Sequence, residues 1–592
     1  MYDFLNINFL RDLKYFFYKV ILFSLFLTSS AYSQDLQPED GYKLISQNLI
    51  KAKNHMVVAA HPAAVSAGIE MLRENGSAVD AAIATQLVLN LVEPQSSGIG
   101  GGAFLMYLDG KTKELLTYDG RETAPAEATE KLFLTSEGES MRFYDAAIGG
   151  RSVGVPGTLA LLERVHKAHG RLPWTRLFQP AIAIANNGFP ASTRLINSLK
   201  GKRKKRIQTN KASADYFFPS GKTLRPGDVI KNRIFAETLS KIANHGSQIF
   251  YQGEIAKDII TEVVSNNRNP GKLKLSDLKN YKVIKRKPIC HTYRKYKVCG
   301  MPPPSSGAIS IGQILGILEN FNLPKLGPDS IDSWHIIIEA GKLAFADRAL
   351  YIADSDFVPV PTSALLDKSY LSERAKLINL SSSISVPAMA GALPQKTKSS
   401  YIPDSSIGRP GTSHISIIDK EGNAVSMTTT IEGAFGSQIM VRGFLLNSEL
   451  TDFSFLPKID GKLVANRVQP GKRPRSSMSP TMVFDREGNL ILIIGSPGGS
   501  RIISYVAQTL IAVLDWGLDI QTAINLGHVV NRNTDTEIEL ETKAITFTKP
   551  LIKRGHKIRK RNLNSGLHVI AIDKENLYGA ADPRREGKAQ GD

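Results

Sequence analysis

Ser, Pro, Gly and Lys crowd the stretch from Ser381 to Gly411, and beyond it the pattern becomes strand, turn, strand, several times over. His414 to Ile418 reads as a strand that turns at Asp419-Lys420-Glu421-Gly422-Asn423 into a second strand, Ala424 to Ile431. Thr481 to Phe484 turns at Asp485 to Gly488 into Asn489 to Ile494, and His568 to Ile572 turns at Asp573 to Asn576. The chain before this stretch is of another kind. From His61 to Leu91 it is rich in Ala, Val, Ile and Leu and is broken only at Gly76-Ser77, where Ser77 caps a second helix with Asp80 placed to answer it. The middle third to about Leu380 is mainly helical in pattern, and Met301 to Gly307, with three prolines, opens an apolar helix through Leu318. A helical first part and a β-rich last third predict helices layered around sheets, an α+β class.

The 592 residues are 42% apolar and 22% charged, which excludes a disordered chain. Lys and Arg outnumber Asp and Glu by 74 to 55, and a net +19 points toward acidic partners without naming one. The tract Lys202 to Arg206 reads as a solvated loop, and a second basic tract spans Lys553 to Arg561. Residues 1–33 read as an export signal. Arg11, Lys14 and Lys19 precede the apolar run Val20 to Leu27, and Ala31-Tyr32-Ser33 ends it. The mature chain is expected to be periplasmic or secreted, with no membrane span and no nucleic-acid partner. Export permits a disulfide. Cys290 and Cys299 flank a segment that reads as a hairpin turning at Arg294-Lys295, which sets the cysteines opposite each other, either bridged or as two buried thiols.

Two familiar catalytic patterns are absent: His-Glu-x-x-His and the phosphate-binding Gly-x-x-x-x-Gly-Lys. Gly98-Ile99-Gly100-Gly101-Gly102 has the glycines of a dinucleotide loop, but it follows a helix and opens a strand, the reverse of what that loop requires. Gly411-Thr412-Ser413-His414 remains, where the loose stretch meets a hairpin. A threonine hydroxyl is a weak nucleophile without an adjacent base. Cleavage before Thr412 would free an α-amine of pKa about 7.7–8.0, which suits that task. A three-residue loop Lys420-Glu421-Gly422 pairs Asp419 with Asn423, and continuing the register sets Thr412 opposite Thr430, a second hydroxyl. Taken alone, Thr412 is an ordinary first residue of a strand.

Several separated motifs together resemble the gamma-glutamyltransferases (glutathione hydrolases), a family of N-terminal nucleophile hydrolases. They are Asp119 to Pro125, Gly98 to Gly102, Met301 to Gly307, Thr412 to Val425 with Phe435-Gly436, Leu446-Asn447 with Asp452-Phe453, Arg475 to Thr481, Gly495 to Gly499 and Ala580 to Arg584. They occur in the family's order from roughly Met56 to Arg584. The resemblance implies a four-layer αββα sandwich and self-cleavage between Gly411 and Thr412. A large subunit of residues 34–411 (411 − 33 = 378 residues, with 381–411 a flexible segment before the cut) and a small catalytic subunit of residues 412–592 (592 − 411 = 181) would form a heterodimer.

The resemblance also implies roles. Thr412 is the nucleophile, with Thr430 beside it, and Gly498 and Gly499 form the oxyanion hole. Arg121, with Ser476 and Ser477, holds the donor's α-carboxylate, while Glu449 and Asp452 hold its α-ammonium. Glu432 stands where many members carry Asn. No metal or cofactor is required. The implied activity is transfer of the γ-glutamyl group of glutathione or related donors, through a threonyl acyl-enzyme, to water, amino acids or peptides. The span from Asp452 to Ser476 is shorter than in members with a lid over the substrate. Two other readings compete: a glutaryl-amide (cephalosporin-type) acylase of the same fold, and a non-catalytic basic surface-binding protein.

Overall fold

The computed structural model describes residues 44–393, 400–404, 406 and 411–592; the export signal read at residues 1–33 lies outside them. Two seven-stranded antiparallel sheets form the centre. The first runs in the order Lys588–Gly591, Met56–Ala59, Thr412–Ile418, Ala424–Thr430, Gly102–Leu108, Leu115–Gly120, Ile284–Arg286. The second runs Ile50–Ala52, Leu577–Ala581, His568–Ile572, Leu490–Gly495, Thr481–Phe484, Tyr296–Gly300, Ile289–Tyr293. Both sheets take strands from before and after residue 411.

Alternation along single strands assembles the layers. In Gly102–Leu108, Ala103, Leu105 and Tyr107 join one apolar cluster with the helices Pro62–Arg73 and Ala78–Val92. Phe104, Met106 and Leu108 point the other way and join a second cluster with Met482, Ile493 and Val569 of the facing sheet. The helices Gly307–Leu318, Ile331–Tyr351 and Ile502–Leu514 cover the far side of that sheet. The result is the expected αββα sandwich. Strands buried on both faces read as continuous apolar runs, as Phe104 to Tyr107 does.

Local chemistry behaves as the sequence predicts at several points. The Ser77 hydroxyl accepts from Asp80 N, and the Asp80 carboxylate accepts from Ser77 N at 2.8 Å, a reciprocal cap. The hairpin loop closes with Asp419 N donating to Asn423 O at 3.0 Å and with Gly422 at φ +79°, where a side chain would be strained. Cys290 and Cys299 lie opposite each other in a hairpin and are joined by a disulfide, and Arg294 takes the left-handed position of the two-residue turn.

Elsewhere the structure corrects the sequence reading. Lys202 to Arg206 is no loop but lies in the helix Gly201–Ile207, where Arg206 stacks 3.7 Å over the Tyr144 ring. The tract 553–561 is largely ion-paired: Arg554 to Asp332, Arg559 to Asp535 and Arg561 to Glu537. The described parts of the segment before Thr412 are held at particular points. Ile384 N donates to Glu339 at 2.8 Å, and the Asp404 carboxylate is buried against Arg475. Among the described residues, no helix is long and apolar enough to cross a membrane.

Candidate active site

Thr412 opens a strand in the middle of the first sheet, opposite Thr430, in the register Thr412↔Thr430 to Ile418↔Ala424. Its neighbours in that strand divide by face. Ile415 and Ile417 join the helix-side cluster, whereas His414 and Ser416 meet the second sheet. The His414 ring lies under Gly495, where a Cβ would come within 2.2 Å of it, so the turn following Gly495 is brought over the Thr412 end of the hairpin. Burial holds His414 neutral, well below its ordinary value, with hydrogen-bond partners Thr428 and Ser416 at 2.8 and 3.1 Å.

The glycine run Gly98 to Gly102 packs rather than binds phosphate. A Cβ on Gly101 would sit 1.9 Å from Thr430 O, and one on Gly100 would sit 2.1 Å from Leu445 O. Gly411 is equally confined, with Glu432 O 2.0 Å from where its Cβ would be. The Thr430 hydroxyl donates to Gly411 O at 2.7 Å and accepts from Glu432 N at 2.8 Å. Thr430 therefore grips the carbonyl of the bond expected to break. Glu432 itself sits at φ +71°, a strained conformation for a non-glycine residue.

Gly498 and Gly499 form the turn after strand Leu490–Gly495, at φ +136° and +59°. Both are buried, and among the described residues neither backbone N–H has an acceptor. The turn is anchored beyond Gly499, where Arg532 donates to Ser500 Oγ at 2.8 Å and pairs with Glu537. Two buried N–H groups without partners form a site that waits for negative charge.

The polar groups expected to read the substrate are brought together. Glu432, Glu449 and Asp452 each offer a carboxylate oxygen within 4.8 Å of the others. Arg121 pairs with Glu449 and Asp452 through its two terminal nitrogens, while its Nε donates to Pro474 O at 3.2 Å. Its fork thus faces the acids, not an open carboxylate position. Burial alone would lower its guanidinium, but the acids around it raise it above its ordinary value. Burial pushes the Glu449 carboxyl up to about 7 against the pull of Arg121. Although three acids of this kind could hold a cation, the Arg121 guanidinium already supplies positive charge among them.

The Ser476 hydroxyl oxygen accepts from Met478 N at 3.1 Å, and that of Ser477 accepts from Arg348 at 2.8 Å. Neither hydroxyl proton has an acceptor among the described residues, so both are available to an anion.

Several residues of the site went unread in the sequence. Glu122 is fully buried against Arg121 and Glu449, and burial, then the Glu449 charge, raise it well above its ordinary value. Arg585 donates to Thr412 O at 3.3 Å, and Glu93 accepts from Ser413 Oγ at 2.7 Å. Arg348 and Arg475 stand behind the serines. Glu122 and Arg475 lie inside quoted motifs, but Glu93, Arg348 and Arg585 gave no local signal, because each acts across a long stretch of chain.

With this geometry in view, comparison with known proteins is consistent. The sequence pattern of gamma-glutamyltranspeptidase matches residues 64–592. The glutathione hydrolase proenzyme of Bacillus subtilis (strain 168) is 37% identical over 550 residues, 91% of this chain and 92% of that one. Cephalosporin acylase from Bacillus halodurans has a similar structure, with a TM-score of 0.80 and 27% identity over 93% of this chain and 98% of that chain. Helicobacter pylori gamma-glutamyltranspeptidase gives a TM-score of 0.53 at 34% identity, over 58% of this chain and 95% of that one. The chain belongs to the gamma-glutamyltranspeptidase family of N-terminal nucleophile hydrolases.

Proposed function

We propose that this enzyme cuts itself between Gly411 and Thr412 and then uses Thr412 to cleave the γ-glutamyl bond of glutathione and related donors. The observation that carries the reading is the bond from Thr430 Oγ1 to Gly411 O at 2.7 Å. In self-cleavage, Thr412 Oγ1 adds to the Gly411 carbonyl carbon while Thr430 stabilises the developing oxyanion. The C–N bond breaks as its nitrogen takes a proton, and water hydrolyses the resulting ester to a Gly411 carboxylate and a free Thr412 amine. That amine then accepts the proton of its own hydroxyl during attack on the donor.

Gly498 and Gly499 N–H groups receive the oxyanion of the tetrahedral intermediate. The leaving amine takes the proton, and the acyl-enzyme passes its γ-glutamyl group to water or to the amine of an amino acid or peptide. Glu449, Asp452 and Glu432 face the donor's α-ammonium, and Ser476 and Ser477 donate to its α-carboxylate. Arg121, paired with the acids and bonded to the backbone at Pro474, links the two ends. No step requires a metal or cofactor. The large and small subunits stay together as a heterodimer exported from the cytoplasm.

The similarity to a cephalosporin acylase supports a second reading, a glutaryl-amide acylase. Glutaryl donors lack the α-amine, and the three neighbouring acids outnumber the Arg121 cation, an excess that is costly to bury without an ammonium. The decisive measurement is intact mass with amino-terminal sequencing of wild type and Thr412→Ala, followed by turnover of γ-glutamyl and glutaryl anilides. A chain beginning at Thr412, absent in the variant, with preference for the γ-glutamyl anilide is expected. A full-length chain that turns over either anilide normally would refute the proposal.

A further inference from the structure

The two ends of the site carry opposite charge imbalances. At the amine end, Arg121 is outnumbered by acids. At the serine end, Arg348 sits in the last turn of helix Ile331–Tyr351, only 5% exposed. Its Nε donates to Ser306 Oγ and its Nη2 to Ser477 Oγ, each at 2.8 Å. Among the described residues, no carboxylate forms an ion pair with it. The nearby Asp404 is engaged by Arg475 at 2.8 Å, in the segment that precedes the cut. Burial, and then the charge of Arg475, hold Arg348 well below its ordinary value. A basic residue is favourable at a helix C-terminus, and the Phe345 ring lies 5.6 Å from the guanidinium, but neither is a counter-ion, and a buried charge without a carboxylate in direct contact is costly.

Ser477 provides the connection to substrate. A hydroxyl has one proton, and by accepting from Arg348 on its oxygen Ser477 keeps that proton to donate. Arg121, paired with Asp452, donates through Nε to Pro474 O at 3.2 Å, two residues before Ser476, so the serine end and the amine end belong to one site.

Resting on the assignment of γ-glutamyl donors made above, we infer that Arg348, acting through Ser477, selects donors that carry an α-carboxylate. Arg348 is a positioning and specificity residue at the carboxylate end, while Arg121 links the acids to the backbone at Pro474. The arrangement reads a zwitterion by polarity: net negative around Glu449, net positive behind Ser477.

The test uses the full chain after self-cleavage and two donors, γ-glutamyl anilide and 4-aminobutyryl anilide, which lacks the carboxylate. Arg348→Gln is expected to lower kcat/KM for the first by about 10–100-fold, mostly through KM, and to lower the second far less. Arg348→Lys, which keeps the charge, is expected to recover part of the preference. Combining Arg348→Gln with Ser477→Ala is expected to cost little more than either change alone, since both remove one path. Equal losses for both donors, or an unchanged preference, would overturn the inference. If Arg348→Gln does not fold, absence of carboxylate preference in the folded Arg348→Lys and Ser477→Ala enzymes would overturn it equally. Wild-type enzyme inert toward both donors would instead bring down the function proposed above, and this inference with it.

Discussion

Thr430 has one hydroxyl proton, and it goes to Gly411 O at 2.7 Å rather than into the strand ladder. Thr430→Val keeps the shape and removes the donor, so the uncut chain is expected to persist, with self-cleavage slowed about 100-fold, the usual cost of one oxyanion donor. Thr430→Ser should cut at nearly the normal rate; a time course on a denaturing gel checks both. Glu449 yields a prediction of a second kind. Its carboxyl, pushed up to about 7 by burial, is largely protonated below that pH and anionic above it. Only the anion attracts an ammonium. The ratio of kcat/KM for γ-glutamyl over glutaryl anilide should therefore rise as pH rises through about 7, and should be flat for Glu449→Gln. Taking the ratio cancels the titration of the Thr412 amine, which serves both donors. Residue identities at this scale came from the family resemblance, and the structure groups Glu432, Glu449 and Asp452 and sets Thr412 opposite Thr430. What could not be read was which partner each would choose, such as the Arg121 fork turning to Glu449 and Asp452.

Among the elements, the hairpin Thr412–Thr430 was the most readable, because one glycine-containing loop sets its register and seven pairs follow from it. The glycine run beside it was readable only in the negative. Its sequence context excluded a nucleotide loop, but the reason for glycine is the close approach of Thr430 O to Gly101. Gly101→Ala is expected to force the hairpin away from the strand Gly102–Leu108, with overpacking of about 1–3 kcal/mol. The outcome should be a lower thermal midpoint together with slowed self-cleavage, measured on the uncut and cut forms. The tract Lys202 to Arg206 was misread because its charge suggested solvation, while the helix Gly201–Ile207 is held by Ile207 in the core and Arg206 on Tyr144. Long basic side chains cover apolar surface with their stems, which charge counting misses.

In the whole molecule, cleavage before Thr412 would not divide two domains. Strands from both sides of residue 411 pair with one another within each sheet, and the carboxy-terminal strand Lys588–Gly591 pairs with Met56–Ala59. The fragments are expected to elute together in native size exclusion and to separate only in denaturant, the smaller having 592 − 411 = 181 residues. Elution of free small fragment without denaturant would contradict the interlocked sheets. The layered class, the hairpin and the threonine at its start were decided by the chain itself, since periodicity and turn chemistry act over a few residues. The meeting of Arg121 with Glu449, Ser477 with Arg348, and Thr412 with Arg585 was decided only in three dimensions. A side chain's electrostatic partners depend on which buried surfaces the packing of sheets and helices brings face to face, and that is a property of the assembled core.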